Sequence, residues 1–444
     1  MAQLTTNHIF TLMRIFTTIS VALLACASAL AYEPKTIAGH TFEIAPAYNF
    51  PEILPEVKER TVSADHGYSF GMMVLAPDDI CLGWIGYDAT SAAQLVRLRL
   101  EGDIIQQSVV PVVFSGQDAF TPERRQIFVG NDTEGNPFLS TPSNAGEQFR
   151  IYSCGLSGES VETAESYAPA GVDDYFTREV SVYGNIRSGS FTAAAPFWDG
   201  NYSIYGQAGK QGIGIWQYNA AEAQSSRLSK LNTSFFYPTV QALGGNWLLV
   251  DNRGLGQSSP QTYSEPSVFQ ILSSGSLSQK SYIEGDNVPG VGCGAHIFSF
   301  GDQWFIIYLA ERLGERYYQI SNLPGYPYSI YDAEPVWALK EEIPQYNSDF
   351  GTYKIDDGIL DTSFITTIPE SDNTLSLYIL TSMRGLAKYT LSDRSNVQTS
   401  AIAIDLPSEE VRIYNLSGIL VQAPLAPGVY IEVCGSQRRR ILVK

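Results

Sequence analysis

The pattern of apolar and polar positions is clearest from Phe298 to Ile320, FSFGDQWFIIYLAERLGERYYQI. Gly301-Asp302 reads as a turn, Trp304 to Leu309 as an apolar run, Ala310 to Arg316 as a polar reversal, and Tyr317 to Ile320 as a second apolar run. Short runs rich in aromatic and β-branched residues between turn formers predict paired antiparallel strands. The hairpin is expected to supply the two middle strands of a small sheet.

The same outline recurs. It is seen in Leu82 to Leu100, in a weaker copy from Phe138 to Tyr152, in Tyr202 to Tyr218, in Trp247 to Leu272 and in Leu375 to Leu391. Taking Leu82, Phe138, Tyr202, Trp247, Trp304 and Leu377 as markers, the intervals are 56, 64, 45, 57 and 73 residues. Four-stranded propeller blades repeat at roughly 40 to 50 residues, and loop insertions lengthen them. The last interval leaves room for another blade around Tyr328 to Leu339. These spacings predict an all-β chain: a six- or seven-bladed β-propeller over 32–391, then a linker over 392–400 and a small C-terminal β module over 401–444. A β-sandwich, or a pair of all-β domains, is the competing architecture. The repeated strand, polar turn, strand shape over more than 300 residues, with no helical period between copies, favours the ring. His40 to Ile44 is placed to close it by joining the final blade.

Composition agrees: 26 Tyr, 21 Phe and 38 Gly against 17% charged residues suit a turn-rich β protein. The formal net charge is -18, and Arg14 is the one charged residue in 1–31, so the chain without that segment carries -19. Such a surface repels phosphate backbones and anionic lipid heads, which excludes nucleic acid and general membrane-surface binding as default partners. Arg14, the apolar stretch Ile15 to Leu24 and Ala29-Leu30-Ala31 have the layout of a cleaved signal peptide over 1–31. Leu23 to Cys26 offers a lipoprotein alternative. No stretch reaches 18 apolar residues, so no transmembrane segment is expected. Cys81, Cys154, Cys293 and Cys434 are too far apart for a paired metal motif. The first three are expected as buried apolar groups, with a disulfide among them left open.

After the polar stretch 392–400, the tail carries Ile413-Tyr414-Asn415-Leu416-Ser417-Gly418, then Pro427-Gly428-Val429-Tyr430, and ends on Arg438 to Lys444. This pattern predicts three or four short strands. The tail resembles the C-terminal sorting domain of the Bacteroidetes type IX (Por) secretion system. The resemblance covers about the last 45 residues. It implies that the secretion machinery is a partner and that the protein is secreted or displayed on the outer-membrane surface of a Gram-negative bacterium. It implies nothing about the propeller's task.

Candidate chemistry is sparse. Gly67 to Gly71 fits G-x-S-x-G, but Met72 to Leu75 continues as a strand, so the strand-to-helix elbow that activates such a serine is not expected. Of three histidines beyond the signal, His296 stands out, approached by Gly290, Gly292 and Gly294 at the mouth of a strand. As the first strand of its blade, that strand should lie nearest the axis. Trp198 and Tyr237 sit near loop-strand junctions and are candidates for stacking on a sugar or gripping a peptide. His296, Trp198 and Tyr237 are the ligand-binding candidates; no catalytic residue, metal ligand or cofactor is assigned. Asp78-Asp79, Asp173-Asp174 and Asp356-Asp357 with Asp361 suit turns, or a glycosidase that pairs two acids. Asn131 to Asn136 has alternating oxygen ligands like a calcium loop without its full pattern. The expected function is a binding or scaffold protein with a glycan or peptide at the axial face; the alternative is a glycan-acting hydrolase using paired axial carboxylates.

Overall fold

The computed structural model describes residues 32–50, 69–84, 94–101, 104–115, 127–141, 149–177, 179–199, 211–220, 222–231, 238–251, 266–283, 294–312, 315–325, 327–339, 363–381, 385–395, 412–415, 420–421, 428–434 and 437–443. Among these every regular element is a β-strand. The chain divides into two compact units, 1–394 and 395–444.

In the larger unit strands follow one another as antiparallel meanders. After β1 (Lys35–Ile37) and β2 (His40–Phe50) come β3 (Ser69–Ala76), β4 (Asp79–Trp84), β5 (Gln94–Glu101) and β6 (Ile104–Val113), then β7 (Phe128–Asn131), β8 (Pro137–Thr141), β9 (Arg150–Ser157) and β10 (Ser160–Tyr167). The next sheet holds β11 (Phe176–Thr177), β12 (Ser181–Asn185), β13 (Ser190–Trp198), β14 (Gln211–Asn219) and β15 (Glu222–Leu228). It is followed by β16 (Thr239–Ala242), β17 (Trp247–Asp251), β18 (Ser267–Ile271) and β19 (Leu277–Tyr282). Then come β20 (Ala295–Phe300), β21 (Gln303–Arg312), β22 (Glu315–Leu323) and β23 (Glu334–Leu339), and last β24 (Ser363–Ser371), β25 (Thr374–Thr381) and β26 (Gly385–Asp393). That last sheet is completed from the other end of the unit, in the order β1-β2-β26-β25-β24. The pairing of Ile44 with Leu391 and Phe42 with Asp393 is the closure that His40 to Ile44 was expected to make.

The blade count differs from the expected six or seven. Four sheets are separate, while β3 to β10 form one closed eight-stranded barrel. The cause is local: β3 approaches β7 at Gly71 and Val129, and β6 meets β10 at Val112 and Val161, so two meanders join at both edges. Gly71 permits this, since a Cβ there would lie 2.1 Å from the Val129 carbonyl oxygen and its φ is +73°. No extra blade occupies Tyr328 to Leu339: β23 there is the outer strand of the sheet begun by β20. The marker Tyr202 also falls out of register. The second strand of its sheet is β13, which ends at Trp198, and Tyr202 lies outside the described residues. Trp247, Trp304 and Leu377 do occupy equivalent second strands, β17, β21 and β25.

Continuous apolar runs on those strands follow from burial on both faces. Successive side chains of a strand point to opposite sides, so Phe305, Ile307 and Leu309 of β21 pack with Phe42, Leu375 and Leu377. Their neighbours Ile306, Tyr308 and Ala310 pack with Leu249, Val268 and Ile297. Each meander is thus gripped between two others. The ring of contacts continues through Leu248 and Val250 with Ala194 and Ile215, Phe138 and Ile151 with Ala193 and Trp216, and Met73 and Cys81 with Leu139 and Cys154. It closes through Leu82 and Leu98 with Tyr378 and Leu380. Each fully buried Leu, Ile, Val, Phe or Met among them stabilises the fold by about 1.5–3 kcal/mol. Cys81 and Cys154 are free and buried, as expected of small apolar groups on strands, and burial pushes the Cys81 thiol up to about 12.

The smaller unit holds β27 (Arg412–Asn415), β28 (Leu420–Val421), β29 (Gly428–Cys434) and β30 (Gln437–Val443). They form one antiparallel sheet in the order β28-β27-β29-β30, four strands where three or four were expected.

Candidate functional site

The first strand of every meander borders one cavity of ≈ 110 Å³. Gly71 of β3, Gly130 of β7, Glu179 just ahead of β12, Gln241 of β16, His296 of β20 and Thr366 of β24 each contribute to its wall. These first strands carry few backbone bonds to one another, and polar side chains bridge them instead. The Gln241 amide donates to the Ile297 carbonyl at 2.7 Å and accepts the Ile297 N–H at 2.7 Å. Asn131 does the same for Val74, at 2.8 Å in each direction. The Ser181 hydroxyl accepts the Ala242 N–H at 3.0 Å. An amide presents one donor and one acceptor in the spacing of a peptide unit, so it substitutes for a missing strand partner.

His296 lies on the wall, on the axial strand where it was expected. Its Nε2 is 3.4 Å from the Thr367 hydroxyl, and burial lowers its pKa to about 4, so the ring is neutral near pH 7. Two residues earlier, the Gly294 N–H donates to the buried Asp251 carboxylate at 2.6 Å. Burial raises Asp251 to about 7, the Gly294 bond opposing the shift. Gly294 has no room for a side chain, since a Cβ would lie 2.6 Å from that of Ser363. Ser363 also lines the cavity and is bonded to the Tyr318 hydroxyl.

The other two candidates do not join His296. Trp198 ends β13 half-buried and is not part of the cavity wall, and Tyr237 lies outside the described residues. The acid pairs are likewise elsewhere. Asp79 is held by the Arg97 guanidinium, Asp78 faces Lys388 at 3.9 Å, and Asp356, Asp357 and Asp361 lie outside the described residues. In the calcium-like loop, Asp132 accepts the backbone N–H groups of Glu134, Asn136 and Ile186, at 2.9, 2.8 and 2.8 Å, plus the Asn136 amide. Its oxygens therefore hold a turn and the neighbouring sheet. Among the described residues no cluster of His, Cys, Asp and Glu has metal-binding geometry.

Sequence reasoning missed Glu179 and Gln241, and read Asn131 as part of a calcium-like loop and not as a bridge to Val74. The two amides left a signal: each stands on a short first strand, six or seven residues before the aromatic marker of the next strand, Phe138 or Trp247. Glu179 left none.

No family model and no curated protein matches the chain. Solved structures similar to it include an α-L-arabinofuranosidase, Arb93A from Fusarium graminearum, at 12% identity over 74% of this chain and 94% of that one, TM-score 0.41. AofleA from Arthrobotrys oligospora is 8% identical over 84% and 88%, TM-score 0.38. A subtype N10 neuraminidase-like protein of A/little yellow-shouldered bat is 7% identical over 72% and 93%, TM-score 0.38. At these values the likenesses carry neither an activity nor a ligand to this chain.

Proposed function

We propose that the chain is an exported propeller-type binding protein that engages a glycan or peptide at its axial cavity. In this reading the eight-stranded barrel is two blades whose edges touch, six blades in all. The observation that carries it is the cavity itself, bordered by one strand from every meander. Its wall combines a neutral imidazole, hydroxyls and a carboxylate on a rigid frame, a polar arrangement suited to orienting a ligand. A glycan hydrolase would need two carboxylates facing each other, roughly 5 to 10 Å apart; among the described lining residues Glu179 is the one acid. Binding without hydrolysis is the better account. The signal over 1–31 and the type IX-like tail over 401–444 would deliver the protein to the cell surface or beyond.

The test is a glycan and peptide array probed with the chain lacking its signal, alongside His296→Ala. The expected result is a ligand bound by the native protein and held at least tenfold more weakly by the variant, with Tm changed by a few degrees at most. An array ligand that binds the variant equally well, or a variant that loses many degrees and no affinity, would overturn the axial site.

A further inference from the structure

The binding reading leaves glycan and peptide open, and the wall of the axial cavity separates them. An extended peptide that adds itself to a sheet needs a row of unpaired backbone groups along an edge strand. At three places on the first strands such groups are already taken. Gln241 occupies both the N–H and the carbonyl of Ile297, Asn131 occupies both those of Val74, and Ser181 occupies the N–H of Ala242. There the wall offers a ligand side chains rather than backbone.

Those side chains are of two kinds, and they are sorted around the ring. β24, β3 and β7 pack in succession, and so do β12, β16 and β20. All three phenyl rings of the described wall belong to the first arc: Phe364 from β24, Phe128 from β7, and Phe138 from β8, the partner of β7. Phe364 is half-buried, and its ring meets that of Phe128 edge-on at 6.0 Å, which fixes its orientation. Gly130 makes room for this group, since a Cβ there would lie 2.7 Å from the tip of Phe138. The second arc contributes Ser181, Gln241 and His296. These are a hydroxyl, an amide and an imidazole that burial keeps neutral near pH 7. Each of the three can both donate and accept a hydrogen bond. A sugar hydroxyl has the same double character, and a pyranose is polar at its rim and apolar on its C–H faces. Phenyl rings on one arc and neutral donor–acceptor groups on the other match that division.

We infer, resting on the binding reading above, that the cavity takes one uncharged pyranose unit of a glycan, with a C–H face on Phe364 and hydroxyls on His296 and Ser181. Phe364 then selects for a ring with an apolar face, and the neutral groups opposite select for hydroxyls over charge.

The experiment is titration of the full chain, by calorimetry and saturation-transfer NMR, with the methyl pyranosides of glucose, galactose, mannose, fucose and N-acetylglucosamine. Methyl glucuronide and a blocked hexapeptide of alanine and serine are titrated alongside, and the series is repeated on Phe364→Leu and His296→Ala. Leucine keeps the apolar bulk and removes the flat ring. The expected result is that at least one uncharged pyranoside binds, at least tenfold more tightly than the glucuronide and the hexapeptide. Saturation should be strongest at the C–H protons of one ring face, and Phe364→Leu should weaken binding at least fivefold. Even saturation of both faces would overturn the inference, and this arm needs no variant should Phe364→Leu fail to fold. Undiminished binding to a folded Phe364→Leu, tighter binding of the glucuronide, or no pyranoside binding at all would also overturn it. Tighter binding of the hexapeptide, lost on His296→Ala, would end this inference and leave the axial binding reading standing. Pyranoside binding unchanged by His296→Ala would place the sugar elsewhere and overturn both.

Discussion

Burial moves the protons of Asp251 and His296 in opposite directions, and the two groups are joined through Gly294 and the start of β20. Asp251 rises from 3.8 to about 7, so the folded state holds a proton that the unfolded chain has lost. Its contribution is fully present below pH 3.8 and is lost as pH rises through about 7. His296 falls from 6.5 to about 4, so its contribution is present above pH 6.5 and is lost as pH falls through about 4. Between pH 4 and 6.5 the two slopes oppose each other, and stability in that window should be nearly flat as far as these groups set it. Substitution separates them. Asp251→Asn keeps an acceptor for the Gly294 N–H and should leave stability rising with pH from 4 to 6.5; His296→Gln should leave it falling from 4 to 7. Urea unfolding across that range measures both, and parallel profiles for the two variants would show that these groups do not govern it. The site itself was legible only in part. His296 was readable because glycines and a strong hairpin mark its strand, whereas Glu179 precedes a strand of moderate apolarity and joins the cavity wall only when six distant segments meet. Trp198 drew notice as an aromatic at a strand end, yet aromatics there serve packing as readily as ligands, and it is not part of the cavity wall.

At the scale of strands, the sequence spoke most clearly where strands are buried on both faces. Trp304 to Leu309, Trp247 to Val250 and Leu377 to Leu380 read as unbroken apolar runs because alternate side chains serve two interfaces. First strands such as β7 and β16, four residues each, are too short and too polar to announce themselves. They hold their places through side-chain amides, a device that hydrophobic periodicity does not register. The barrel was equally illegible, since it depends on a contact between Gly71 and Val129 from different repeats. The amide bridge is open to test. Gln241→Met keeps the bulk of the side chain and leaves the Ile297 N–H and carbonyl without that partner. Each buried backbone group left unsatisfied costs about 1–3 kcal/mol, so the variant should unfold at clearly lower urea with an unchanged slope. A change under about 0.5 kcal/mol, the range of ordinary surface substitutions, would show that the bridge is dispensable. Asn131→Leu, at the matching bridge to Val74, should behave alike.

For the whole molecule the question is what the two compact units do for each other. The last strand of the larger unit, β26, is paired on one side with β25 and on the other with β2. His40 and Asp393 pair across that closure at 2.7 Å, and Arg394 and Glu43 at 2.6 Å. The smaller unit has its own four-stranded sheet. The described closure of the larger unit is made by strands that all precede residue 394. If the tail's resemblance to a sorting domain reflects its role, removal of Val411 to Lys444 should separate folding from delivery. The truncated protein, expressed in a Bacteroidetes host, is expected to be folded, with the Tm of the larger unit within about two degrees of the full chain's, and to accumulate in the periplasm. Cell fractionation and surface labelling give the location; thermal unfolding of the purified material gives the fold. Normal surface delivery of the truncated chain would show that the tail is not the address, whereas loss of cooperative unfolding would show that the tail is needed for folding.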